Sequence, residues 1–238
     1  MFLGTVGTFW VMRDRGDDAN GQVTSSDTVA GSAATTVLTT TTAPAVPTVV
    51  ADPLALTVLV NKQWRLPPGW VPPDLVEPNV AFTFAAPDPK RLLRRPAAAA
   101  LESLFAAATD AGHPLAAVSG YRSEQKQADL YDLSVSEQGE EQADLHSARP
   151  GHSEHQTGLA VDVTGADGTC AVEACFAATD AARWVAAHAS EHGFVLRYPE
   201  GKAAITGYAY EPWHLRFVGT EVARFLTDEG LSLEELPG

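Results

Sequence analysis

The sequence predicts an α+β domain built on an antiparallel sheet. Three observations carry that expectation. Helical and strand-like patterns come in separate groups rather than in strict alternation. Phe194–Tyr198 and Ala203–Tyr208 are apolar runs joined by Pro199-Glu200-Gly201-Lys202, a turn sequence that signals a hairpin. Leu159-Ala160-Val161-Asp162-Val163 is an apolar run of strand length interrupted by one carboxylate.

The elements follow in order. Pro96 to Ala111 reads as a helix: Pro96 suits the first turn, Leu101, Leu104, Phe105 and Ala108 form one stripe, and Gly112 ends it. Leu115 to Ser119 reads as a strand, and Ser123 then caps a second helix running towards Glu137. After the apolar run at 159–163, Thr179 or Asp180 caps a third helix with Ala181, Trp184, Val185 and His188 in register, ending at Gly193. The hairpin comes next. His214 to Val218 is a further strand, and Thr220 caps a terminal helix through Phe225 and Leu226.

The chain has 238 residues and a net charge of −14, from 30 acidic and 16 basic side chains. That length allows one ordinary domain plus a tail. The acidic balance excludes a nucleic-acid partner, because no basic stripe exists to neutralise phosphates. Residues 1–16 are apolar over Met1–Met12, too short a run to span a bilayer, which needs about twenty residues. They are expected to be the end of a longer membrane anchor. Residues 17–53 are rich in Thr, Ala and Pro and poor in aromatics, so a disordered linker is expected there. The folded domain is expected over 54–233.

The chemistry concentrates in two segments. The first is Ser153-Glu154-His155-Gln156-Thr157-Gly158-Leu159-Ala160-Val161-Asp162, and the second is Glu211-Pro212-Trp213-His214. A catalytic zinc site uses three protein ligands, one open position and a nearby base. His155, Asp162 and His214 are the candidate ligands, and Glu211 is the candidate base. One anionic ligand leaves net positive charge on the metal, which lowers the pKa of bound water and polarises a carbonyl. Gly158 allows a turn between His155 and the strand, a loop-to-strand geometry unlike His-Glu-x-x-His helices. Pro212 and the aromatic, β-branched surroundings argue that Glu211 and His214 lie on an extended or turned segment rather than a helix. The sequence leaves open how both side chains would reach one metal. The other histidines take plainer roles. His113 is expected to face solvent, His188 to pack, and His192 to sit at a helix end where a cation suits the dipole; His146 is not assigned.

Ser-x-His-x-x-Gly-x-Ala-x-Asp with Glu-Pro-Trp-His resembles the VanY-type D-alanyl-D-alanine carboxypeptidases, zinc peptidases of the bacterial cell wall. Ser119-Gly120-Tyr121-Arg122-Ser123 with Gln127 and Leu130-Tyr131 is similar to a third motif of that family. Leu59-Val60-Asn61-Lys62, Leu66-Pro67 and Pro73-Asp74-Leu75-Val76 are similar to its domain opening. The resemblance runs from about Leu56 to about Leu226, with His152 as a small departure. It implies a small central antiparallel sheet carrying the zinc, flanked by helices. It also implies one Zn2+ per chain on His155, Asp162 and His214, with Glu211 as general base and acid. Arg122 would contact the substrate carbonyl or carboxylate, and Ser119, Tyr121, Gln127, Ser153 and Trp213 would complete the substrate site.

The implied reaction removes the terminal D-alanine from a peptidoglycan stem peptide. The implied setting is extracytoplasmic, with the chain a monomer tethered through a longer N-terminus. Cys170 and Cys175 offer too few ligands for a structural zinc site, and an oxidising compartment favours a disulfide between them. An L,D-carboxypeptidase and a D,D-endopeptidase share the same chemistry. A wall-binding module without catalysis is the reading from another class, and the full set of ligands and base disfavours it.

Overall fold

The computed structural model describes residues 46–238, so the apolar segment and most of the expected linker lie outside the described residues. Among the described residues no helix is long and apolar enough to cross a membrane. A two-stranded antiparallel ribbon opens the fold, with β1 at Leu75–Val76 and β2 at Leu93–Arg94. Helix α1, Arg95–Asp110, follows without a break and carries its proline in the first turn, where no amide hydrogen is needed. Its stripe of Ala97, Leu101, Leu104, Phe105 and Ala108 is buried.

Strand β3, Leu115–Ser119, delivers the chain to α2, Glu124–Gln138, whose cap Ser123 accepts the amide hydrogen of Lys126 at 3.2 Å. Gly139 separates α2 from a short α3, Glu140–His146, an element that sequence periodicity did not indicate. Strand β4 is Ala160–Gly165. Helix α4, Asp180–His188, is capped by Thr179, and a 3-10 turn prolongs it to Gly193.

Strand β5, Phe194–Leu196, was expected to pair with a strand over Ala203–Tyr208. Instead Ala203–Thr206 is a short helix, α5, and β5 pairs with β6, His214–Phe217. The reason is local. Ala203, Ala204 and Ile205 are exposed, so no buried face rewards extension, and alanine is the strongest helix former. The left-handed Gly207, at φ 81°, then ends the turn. Helix α6, Thr220–Glu229, closes the fold. Its cap is Gly219 rather than Thr220, which is already helical and makes no side-chain cap bond.

The main sheet runs β3-β4-β6-β5 and is antiparallel throughout. Side chains alternate between its faces. Leu159, Val161, Val163, Leu215 and Phe217 enter a core shared with α1 and α4. Asp162, Thr164, His214 and Arg216 therefore occupy the opposite face. A second apolar cluster, of Val195, Val218, Ala223, Leu226, Leu233 and Leu236, seats α6 and the C-terminal turn.

Candidate metal centre and active site

The sheet register assembles the centre. Asp162 on β4 stands directly opposite His214 on β6, and Ser119 at the end of β3 stands opposite Asp162 on its other side. Directly opposed residues hold their Cβ atoms about 5 Å apart, so the pairing brings candidate ligands 52 residues apart in sequence into contact. His155 arrives from a 3-10 turn, Glu154–Thr157, closed by the left-handed Gly158 at φ 66°. A Cβ on that glycine would lie 2.9 Å from Leu75 Cδ2.

His155, Asp162 and His214 offer one ligand atom each within 4.8 Å of one another. His155 Nε2 is 3.3 Å from Asp162 Oδ2, and His214 Nδ1 is 2.9 Å from Asp162 Oδ1. The far nitrogen of each ring faces an acceptor. His155 Nδ1 donates to the Gly120 carbonyl at 2.8 Å, and His214 Nε2 faces Glu154 Oε2 at 3.5 Å. Both partners orient an imidazole and raise its basicity, as the outer partners of metal-bound histidines do. Two imidazoles and one carboxylate so held fit a zinc ion with an open fourth position.

The spacing of Glu211 and His214 is explained by a turn. The His214 amide donates to the Glu211 carbonyl at 3.2 Å, with Pro212 at the second position, a favoured place for proline. The turn brings Glu211 Oε2 to 4.0 Å from His214 Nδ1. Burial pushes the Glu211 carboxyl up to about 7, with Asp162 and Glu154 adding to the rise against His214 and Arg122. Burial also disfavours ionised Asp162, but the neighbouring His155 and His214 outweigh it and hold that carboxyl well below the usual range. Burial lowers His155, towards the neutral form a ligand needs. Burial would lower His214 too. Its hydrogen bond with Asp162 and the facing Glu154 carboxylate prevail and raise it to about 9, so a bound metal would displace that proton.

Glu154 belongs to a buried ionic network. Its Oε1 accepts from Arg197 Nε at 2.8 Å and from Arg216 Nη1 at 2.7 Å. Arg197 also forks onto Glu234 at 2.8 and 2.6 Å, and Arg216 Nη2 donates to the carbonyls of Leu56 and Val58. Two guanidiniums thus meet two carboxylates, the condition for burying such charge. Sequence reading passed over Glu154 although it lies inside a quoted motif. The available signal was Arg197 and Arg216, charged residues in otherwise apolar strand patterns.

A cavity of about 430 Å³ opens over the centre. Arg122, Gln127, Ser153, His155, Asp162, Glu211, Trp213 and His214 line it, with Val172, Tyr198, Tyr208 and Tyr210 beside them. Arg122 donates to Gln127 Oε1 at 3.0 Å and to Ser119 Oγ at 3.2 Å. Gln127 in turn donates to the Ala148 carbonyl at 2.7 Å, tying Arg122 to the cavity wall. Ser119 and Tyr121 do not line the cavity. Ser119 reaches it through Arg122, and Tyr121 is buried with its amide on the Leu92 carbonyl at 2.8 Å.

Cys170 and Cys175 are joined by a disulfide. None of the remaining histidines belongs to the metal cluster. His113 is half-buried beside Trp184, not fully solvent-facing, and His188 stacks on Trp184 at 4.7 Å. His192 Nδ1 meets Ser103 Oγ, His152 Nδ1 meets the Asn61 carbonyl, and His146 lines the cavity.

Known proteins are similar to this chain in sequence and fold. A family model described as VanY, D-alanyl-D-alanine carboxypeptidase, matches residues 90–220. YodJ of Bacillus subtilis (strain 168), named as a candidate carboxypeptidase, is 45% identical over 186 residues, covering 78% of this chain and 68% of its own. Among solved structures, the LD-carboxypeptidase LdcB superposes with a TM-score of 0.75 at 45% identity, covering 79% of this chain and 87% of that one. The D,D-pentapeptidase VanY of a VanB-type vancomycin resistance cassette, solved with Zn(II), has a TM-score of 0.62 at 33% identity, covering 76% and 98%.

Proposed function

Because the chain belongs to the VanY family of D-alanyl-D-alanine carboxypeptidases, we propose that it is a zinc peptidase releasing the C-terminal D-alanine of peptidoglycan stem peptides. The observation that carries this reading is the convergence of His155, Asp162, His214, Glu211 and Arg122 on one cavity. One zinc would be held by His155, Asp162 and His214. When bound, it supplies a Lewis acid that acidifies water and polarises the scissile carbonyl.

The chain's own residues do the rest. Glu211 accepts a proton from the attacking water and returns it to the leaving amine, a role suited to a carboxyl poised near neutrality. Arg122, held by Gln127 and Ser119, directs its remaining N–H donors at a carbonyl or carboxylate oxygen. An enzyme that trims a free chain end needs a cationic or N–H donor partner for the terminal carboxylate, and Arg122 is such a group in the cavity. Ser153 and Trp213 complete the walls.

A second reading has its own support. Identity is higher to LdcB, an LD-carboxypeptidase, than to the VanY D,D-pentapeptidase. Under that reading the released D-alanine comes from a tetrapeptide stem. Both bonds end in a free D-alanine carboxylate and differ in the residue before the bond. The substrate and the Cys170–Cys175 bridge favour an extracytoplasmic location. The proposal includes a tether through a longer N-terminus, a linker that joins the fold by Val49, whose amide donates to the Pro237 carbonyl at 2.9 Å, and a monomeric enzyme.

The test uses the full chain loaded with zinc and two defined stems, a pentapeptide ending in D-Ala-D-Ala and the corresponding tetrapeptide. Released alanine is measured with and without a chelator. Release from the pentapeptide, abolished by the chelator and restored by zinc, is the expected result. Release from the tetrapeptide alone selects the second reading. Chelator-resistant release, or none from either stem, overturns both.

A further inference from the structure

The loop after β4 carries a conformational cost that the core does not explain. Val172 has φ 57° and Cys170 has φ 59°, both in the left-handed region. A β-branched residue is disfavoured there, and glycine or asparagine would suit a loop built only to connect. Strain of this kind persists where the surroundings over-determine it, and it concentrates at ligand-binding positions. Burial does not compensate Val172, whose surface is 42% exposed. Its place in the molecule is the lining of the catalytic cavity, which Tyr210 and Trp213 also line.

The loop is fastened around that residue. At its start, Asp167 accepts from the backbone and hydroxyl of Thr169, each at 3.0 Å, and Thr164 on β4 donates to the Thr169 carbonyl at 3.0 Å. At its end, Phe176 is fully buried in the core. Between them the Cys170–Cys175 bridge closes a loop of sequence separation 5, and the Glu173 amide bonds the Cys170 carbonyl at 3.2 Å. Anchoring on β4 also ties the loop to the strand that carries Asp162.

We propose that this disulfide-closed loop is a specificity wall, in which Val172 gives an apolar contact to the stem-peptide residue lying at the cavity mouth. The proposal rests on the stem-peptide reading above and adds a determinant to it. Val172 acts on substrate binding, not on the metal or the proton transfers, and the bridge keeps it in place.

Two variants test it on the full zinc-loaded chain. Val172→Gly removes both the contact and the strained side chain. KM for the stem peptide should rise about tenfold, the scale of one apolar side-chain contact, while kcat falls by less than KM rises. The melting temperature should not fall, because glycine accepts the left-handed region. The double variant Cys170→Ser with Cys175→Ser should raise KM in the same direction with zinc content unchanged. A purely structural residue would behave in the opposite way, with a lower melting temperature and an unchanged KM, and that result overturns the proposal. Stem-peptide affinity is also measured in a Glu211→Gln background, with and without Val172→Gly. If the wild type releases no alanine, the hydrolase reading falls, yet weaker peptide binding on loss of Val172 still supports the wall. Equal affinity with and without Val172→Gly, or no peptide binding in either case, overturns it.

Discussion

Glu211 is set apart from the other carboxylates of the site by its environment. Asp162 is stabilised as an anion by two imidazoles and Glu154 by two guanidiniums, whereas Glu211 is raised to about 7 by burial. Carboxyl groups pushed apart in this way divide the work of holding a cation and moving a proton. Glu211→Gln should therefore keep fold and zinc while turnover drops by about 10² to 10⁴, as for the loss of a general base. Near wild-type kcat would assign the base elsewhere. Arg122 has two possible targets, and kinetics separate them. If it serves the scissile carbonyl, Arg122→Lys lowers kcat and kcat/KM together. If it holds the terminal carboxylate, KM rises more than kcat falls, and a C-terminally amidated stem loses the same energy with the wild type. At this scale the sequence was most legible, because residue types and their spacing within each segment name the chemistry.

The elements decide whether those residues meet. Gly120 shows how little room the assembly leaves. A Cβ there would lie 2.6 Å from the Leu92 carbonyl oxygen and 2.8 Å from that of Lys90, both backbone atoms. The Gly120 carbonyl also holds His155. Gly120→Ala should lower the melting temperature and weaken zinc binding together, read by thermal unfolding and chelator competition. An unchanged zinc affinity would remove Gly120 from the support of the site. The C-terminal turn Leu233–Glu235 carries a pH dependence. The Lys202 ammonium and the Ser232 amide hold the Glu235 carboxyl down at about 2 against an ordinary 4.5. A depressed carboxyl stabilises the fold above its ordinary value, and that contribution is lost as pH falls from 4.5 towards 2. Wild type should thus melt above Glu235→Gln at neutral pH, with the gap closing across that acid window. A gap independent of pH would show that charge is not the cause. Strand and helix positions were largely legible from periodicity and caps. The segment 203–208 was not, because Ala203, Ala204 and Ile205 are exposed and so carry no pattern of burial.

Across the whole molecule, the buried ions connect parts that the sequence keeps far apart. Glu234 in the C-terminal turn, Arg197 after β5, Arg216 on β6 and Glu154 beside His155 form one chain of contacts ending at His214. Removing one member of a buried ion group costs about 3–5 kcal/mol, since the remaining charges lose their partner. Glu154→Gln should be destabilised on that scale in denaturant unfolding. Its zinc affinity should fall about 10- to 100-fold, the usual effect of losing a ligand's outer partner. Loss of stability with unchanged zinc affinity would confine Glu154 to a structural role.

The sequence by itself determined the family and the class of fold and singled out His155, Asp162, His214 and Glu211, because each depends on residue identity at short spacing. His155 and Asp162 are seven apart, Glu211 and His214 three apart, and a turn or strand fixes such distances locally. The tertiary structure alone decided that Asp162 faces His214, that Ser119 and Gln127 hold Arg122, and that Glu154 backs His214. These pairings join residues brought together by strand register and by the folding of distant loops onto one sheet face. Register is set by which side chains the core accepts, a condition summed over the whole chain and not written in any one segment.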